Sequence, residues 1–136
     1  MEEITLNVEA DINPTESEEK VKKAVENLFG ELPLQTRPGY RATTLTAEVK
    51  SQEPLIKFRN LLRMDHIRDA ARKVLLTRTE GNAVRFFLNK QVAFAGHVSF
   101  SEEIGESPLG PIRVTIKTEN PQQLITWLAP KTIREQ

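Results

Sequence analysis

The sequence predicts an α+β two-layer sandwich: a mixed sheet with helices packed on one face, in the order β-α-β-α-α-β-β-β-α. Three observations carry that expectation. Apolar residues alternate with polar ones from Ile4 to Ala10, an apolar stripe of helical spacing runs from Val21 to Phe29, and further strand and helix patterns interleave through the remaining residues. At 136 residues the chain is expected to form one α+β domain over 1–136. A chain of that size buries about two thirds of its unfolded surface, enough for a core without metal or disulfide support.

Each element has its own local reason. Ile4, Leu6, Val8 and Ala10 alternate with Thr5, Asn7 and Glu9, the pattern of a strand with one buried face. Pro14 breaks it, and Thr15 with Glu18 reads as a capping box for the helix that follows. That helix places Val21, Ala24, Val25, Leu28 and Phe29 on one stripe and ends at Gly30. Residues 31–39, with Pro33, Pro38 and Gly39, read as a loop, and Tyr40 to Lys50 as a second strand. Ser51 is placed to cap a helix from Gln52 that tolerates Pro54 in its first turn and buries Leu55, Phe58, Leu61 and Leu62. A shorter helix is expected from Asp65, burying Ile67, Ala70, Ala71, Val74 and Leu75.

Gly81-Asn82 signals a turn. Val84, Phe86 and Leu88 then alternate, Asn89-Lys90 fits a tight turn, and Val92, Phe94, Val98 and Phe100 fall on one face, so a hairpin is expected. The small residues from Ala93 to Gly96 also tolerate a helical turn. After a loop containing Gly105, Pro108, Gly110 and Pro111, Ile112, Val114 and Ile116 form the last strand. Asn120 caps a final helix with Pro121 at its first position, and Leu124, Ile125 and Leu128 face inward until Pro130.

The chain has no cysteine, which removes disulfides, thiolate ligands and cysteine nucleophiles and fits a reducing compartment. No apolar run approaches the roughly 18 residues of a membrane span, and the Met1-Glu2-Glu3 start does not suit a signal peptide, so a cytoplasmic protein without membrane contact is expected. Formal net charge is zero, but it is segregated. Residues 1–31 hold nine acids against three lysines, a net −6, whereas residues 32–100 hold twelve bases against five acids, a net +7. Anions respond to a local field of this kind rather than to the total.

Catalytic and cofactor motifs fail on their spacing. His66 and His97 fall on different predicted elements without the further ligands a metal site needs. Gly105 and Gly110 match the opening of a phosphate loop, yet Pro111 and Ile112 stand where Lys and Ser/Thr are required. No G-x-S-x-G elbow is present. A chain that is not an enzyme and takes no cofactor is therefore expected.

The remaining chemistry is RNA binding. The basic run supplies Lys57, Arg59, Arg63, Arg68, Arg72 and Lys73, continued by Arg78, Arg85 and Lys90 as phosphate contacts, with Asn89 and Gln91 as polar readers. Arg59/Arg63 and Arg68/Arg72 are like-charged i,i+4 pairs whose repulsion an anion would relieve, and guanidinium groups suit phosphate geometry. Phe86, Phe87, Phe94 and Phe100 could form a stacking platform, although four phenylalanines on strands are more often core. A competing expectation is a protein-interaction module or homodimer whose acidic first helix docks on the basic middle of a partner. A deep pocket with convergent polar groups near Asn89, Gln91 and Ser107 would favour a small-molecule enzyme instead.

Two stretches combine into a family resemblance: Phe87-Leu88-Asn89-Lys90-Gln91-Val92-Ala93-Phe94-Ala95-Gly96-His97-Val98-Ser99-Phe100, and Gly105-Glu106-Ser107-Pro108-Leu109-Gly110-Pro111-Ile112 followed by Trp127-Leu128-Ala129-Pro130. With Pro14-Thr15-Glu16 and Arg68-Asp69-Ala70-Ala71-Arg72, the chain resembles an archaeal family of small proteins, uncharacterised protein family two hundred and one, within domain of unknown function fifty-four. The resemblance implies a fold similar to the fifth protein of the large ribosomal subunit. By analogy it also implies RNA as partner, ribosomal or associated with the RNA-degrading exosome, and it brings no catalytic residues.

Overall fold

The structure is a computed structural model and describes residues 3–39, 42–102 and 109–131. Its elements follow in the order β1 (Ile4–Ile12), α1 (Glu18–Phe29), β2 (Gln35–Arg37), β3 (Thr43–Val49), α2 (Glu53–Met64), α3 (Arg68–Thr77), β4 (Thr79–Glu80), β5 (Ala83–Leu88), α4 (Lys90–Phe94), β6 (Phe100–Ser101), β7 (Ile112–Thr118) and α5 (Pro121–Leu128). The strands form one sheet in the order β2-β3-β1-β7-β5-β4, with β6 also paired to β5. Every pairing is antiparallel, which corrects the expected mixed sheet. The element order also corrects the expected one, because β2, β4 and α4 are additional.

Period-2 patterning sorts the sheet into two faces. Leu6, Val8 and Ala10 of β1, Val84, Phe86 and Leu88 of β5, and Ile112, Val114 and Ile116 of β7 are buried under the helix layer. Val21, Ala24, Val25, Leu28 and Phe29 of α1 meet them, together with Leu55, Phe58 and Leu62 of α2 and Leu124, Ile125 and Leu128 of α5. Phe58 stacks between Phe29 and Phe86, with ring centroids 5.3 and 5.8 Å away, so α1, α2 and β5 share one aromatic column.

The remaining corrections come from side chains that compete for backbone groups. Ser17, not Thr15, caps α1, its hydroxyl accepting from Lys20 N–H. Glu16 turns back instead and accepts from the Asn13 N–H at 3.0 Å. Helix α2 starts at Glu53, whose N–H donates to the Ser51 hydroxyl. Helix α3 starts at Arg68 rather than Asp65, because the Asp65 carboxylate is taken by Val98 N–H at 2.9 Å and His97 Nδ1 at 3.0 Å. His66 closes the turn in the left-handed region at φ 58°. Within α3 Ala71 and Leu75 are buried, while Ala70, expected inside, is exposed.

The expected hairpin after Leu88 is not formed. The Asn89 side chain accepts from Val92 N–H and caps α4 at Lys90–Phe94, upstream of most of the Ala93–Gly96 stretch where a helical turn was tolerated. Only Phe100 and Ser101 return to pair with β5. The strand expected over Tyr40 to Lys50 is β3, which begins at Thr43; Tyr40 and Arg41 lie outside the described residues, as does Ser107.

Candidate nucleic-acid interface

The basic run does not form one surface. On the helix layer, three of its members hold helix C-termini, where unpaired carbonyls carry partial negative charge. Lys57 Nζ donates to Glu26 O near the end of α1 at 3.0 Å. Arg59 Nε donates to Trp127 O at 2.8 Å, with its guanidinium 5.3 Å from the Trp127 ring centroid. Arg72 Nη1 reaches Thr126 Oγ1 and Ala129 O, both at 3.4 Å. Arg59 and Arg72 thus clamp the last turn of α5 from two helices. Arg63 and Lys73 stand exposed and Arg68 half-exposed.

Arg78 and Arg85 belong to the other side of the sheet. Arg85 alternates with buried Val84 and Phe86 and so points to the open face. Arg78 Nη2 pairs with Glu102 Oε2 at 2.8 Å, and its guanidinium lies 6.0 Å from the ring centroid of Phe87, which is buried although it is on that face. Arg113 and Lys117 of β7 share the face with them. Sequence reasoning missed these two because it followed the density of basic residues. The alternation of Arg113, Thr115 and Lys117 with Ile112, Val114 and Ile116 would have found them.

Asn89, Lys90 and Gln91 form a third group, on α4 against α1. Lys90 is 6% exposed, and its ammonium donates to Asp11 O (2.7 Å), Leu109 O (3.0 Å) and Glu16 Oε1 (3.0 Å). Three donors meeting three acceptors leave nothing for an external phosphate, so Lys90 is corrected from a phosphate contact to an internal tie. Asn89 is likewise a cap rather than a reader. Burial pushes the Glu16 carboxyl upward, but hydrogen bonds from the Asn13 N–H and side-chain amide and from Lys90 outweigh it and hold the group below its ordinary value of 4.5.

Gln91 is exposed beside a depression of about 430 Å³ lined by Lys20, Val21, Ala24 and Phe94, with Glu16 and Lys90 among its walls. Glu16 and Lys90 are paired with each other at 3.0 Å, and the Lys20 ammonium lies 5.9 Å from the Phe94 ring centroid. Of the six phenylalanines only Phe94 is exposed, on α4 and not on a strand. Among the described residues the strands therefore offer no exposed aromatic platform: Phe86 and Phe87 are buried and Phe100 is half-buried.

Two archaeal relatives match almost the whole chain. A UPF0201 protein of Sulfurisphaera tokodaii is 44% identical over 93% of this chain and 88% of its own length. One from Pyrobaculum aerophilum is 42% identical over 95% and 92% respectively. The chain belongs to the UPF0201 family. A crystal structure of a UPF0201 protein from Methanococcus jannaschii has the same fold, with a TM-score of 0.81 over 95% of each chain at 34% identity. The family model that matches residues 5–118 is described as RNA binding. That span runs from β1 to the end of β7, so it includes both basic surfaces and leaves α5 outside.

No helix among the described residues of this UPF0201 protein is long and apolar enough to cross a membrane.

Proposed function

We propose that this UPF0201 protein binds RNA and serves RNA processing as an accessory that does no chemistry of its own. The observation that carries this reading is the match of residues 5–118 to a family model described as RNA binding. Arg63, Arg68 and Lys73 along α2 and α3 supply the phosphate contacts, because their side chains reach solvent while Lys57, Arg59, Arg72 and Lys90 are held by carbonyls and a carboxylate of the fold. Guanidinium groups on a rigid helix pair position a phosphate backbone without reading bases. Targets carried by the ribosome or the exosome follow from the family resemblance.

The test is a fluorescence-anisotropy titration with a structured RNA and with a single strand, from low to physiological salt. Each neutralised phosphate releases counterions, so affinity falls steeply with salt, with a slope of about −0.7 to −0.9 per contact. Arg63→Glu combined with Lys73→Glu is expected to weaken binding at least tenfold and to reduce the salt slope by about 2. Neither side chain is buried, so the variant keeps its fold. Absence of wild-type binding at low salt would overturn the proposal, and unchanged affinity in the double variant would move the site to the open face of the sheet.

A further inference from the structure

We infer that the open face of the sheet is covered by a second copy of this chain, in a two-fold dimer whose axis runs along the strands between β1 and β7. The argument rests on the register of the ladders. Residues directly opposite one another in antiparallel pairs share a face, so the pairings define rows across the sheet. One row reads Glu48, Asn7, Thr115, Arg85 across β3, β1, β7 and β5. The neighbouring row reads Thr46, Glu9, Arg113, Phe87.

Both rows change sign about the same line. Acids lie on the β1–β3 side and bases on the β5–β7 side, with Asp11 and Lys117 extending each half. A two-fold rotation about that line lays β3 over β5 of the other copy and β1 over β7. Glu48 then faces the second copy's Arg85, Asn7 faces its Thr115, and Glu9 faces its Arg113. An isologous interface requires this self-complementarity, in which each contact occurs twice.

The local chemistry agrees. Within one chain Glu48 and Arg85 are three strand spacings apart, about 14 Å, too far to pair. Both are exposed, and neither side chain has an ion-pair partner among the described residues. Nearer the axis Arg113 already contacts Asp11 at 3.1 Å and Glu9 at 3.8 Å, and Glu9 contacts Arg37 at 3.5 Å, so a second copy would meet charges that are already paired there instead of burying lone ones. No described helix lies over this face. Four strands of six to nine residues, averaging about seven, give a footprint of roughly 440 Å², which places the association in the weak class.

Sedimentation equilibrium from micromolar to millimolar protein tests the inference, with thermal melts to confirm that each variant folds. Wild type is expected to dimerise. Glu48→Arg alone and Arg85→Glu alone should each raise the dissociation constant roughly a hundredfold, because each sets two like-charged contacts in the interface. An equimolar mixture of the two variants should dimerise again, since every contact is then Arg with Glu. The Glu48→Arg/Arg85→Glu double variant, whose net charge equals that of wild type, should also recover. A monomeric wild type at every concentration would overturn the inference. So would a dimer insensitive to either single change, or single-variant losses that neither the mixture nor the double variant repairs.

Discussion

Along β1, Leu6, Val8 and Ala10 are at most 1% exposed on the covered face, while Asn7 and Glu9, one residue away on the same strand, stand half-exposed among threonines and charges. The two faces of one sheet thus carry different kinds of information. The covered face supplies non-directional apolar burial, where volume and shape decide the outcome. The open face has little to lose in stability, and its charges are ordered by strand and by row. That contrast separates residues whose change unfolds the protein from residues whose change alters what it meets.

The sharpest way to break the contrast is to empty the aromatic column. Phe58→Ala removes a ring 0% exposed from between Phe29 and Phe86 and is expected to cost about 3–5 kcal/mol in urea unfolding. A loss below about 1 kcal/mol would mean that the helix layer packs loosely and the two faces differ less than described.

Next comes the buried Lys90 ammonium. Lys90→Met leaves Glu16 without its counter-charge and two carbonyls without a donor, for an expected loss of about 2–4 kcal/mol. Glu16→Gln tests the same tie through pH. Because the folded carboxyl is held below 4.5, its contribution to stability is complete above that value and disappears as pH falls through the lower folded value. The wild-type melting temperature should therefore fall more steeply on acidification than that of Glu16→Gln. Parallel acid limbs would remove Glu16 from the account.

The smallest expected effect is on the open face. Glu48→Arg and Arg85→Glu should shift the stability of the monomer by no more than about 0.5 kcal/mol in urea unfolding at low protein concentration, whatever they do to self-association. A large loss there would show that the open face also holds the fold.

Much of the fold was legible in the sequence because its strongest signals are local. The stripe from Val21 to Phe29, the alternation in β1 and β7, and the Asn120-Pro121 start of α5 all appear as expected. Helix α4 was not legible, since five residues carry too little periodicity, and its cap and the two carbonyls that receive the Asn27 side chain decide it. Asp65 looked like a helix start because its partners, 32 and 33 residues away, could not be seen. The candidate site fared worse for the same reason. Arginines that cap α5 and a lysine that ties residues 74 and 79 positions distant look no different in sequence from arginines that face water.

The position of β1 has a consequence for how the chain is made. Strand β1, made before the other described strands, lies inside the sheet with β3 on one side and β7 on the other, so Ile4 waits for Thr118. At about 5–20 residues per second, that wait lasts roughly 5–20 seconds on a translating ribosome. During it β1 can pair with β3, but its other edge stays open, an invitation to any neighbouring nascent strand. Assembly of this sheet is therefore closed from the C-terminal side, and slowed translation before β7 would lower the yield of native protein without altering a single native contact.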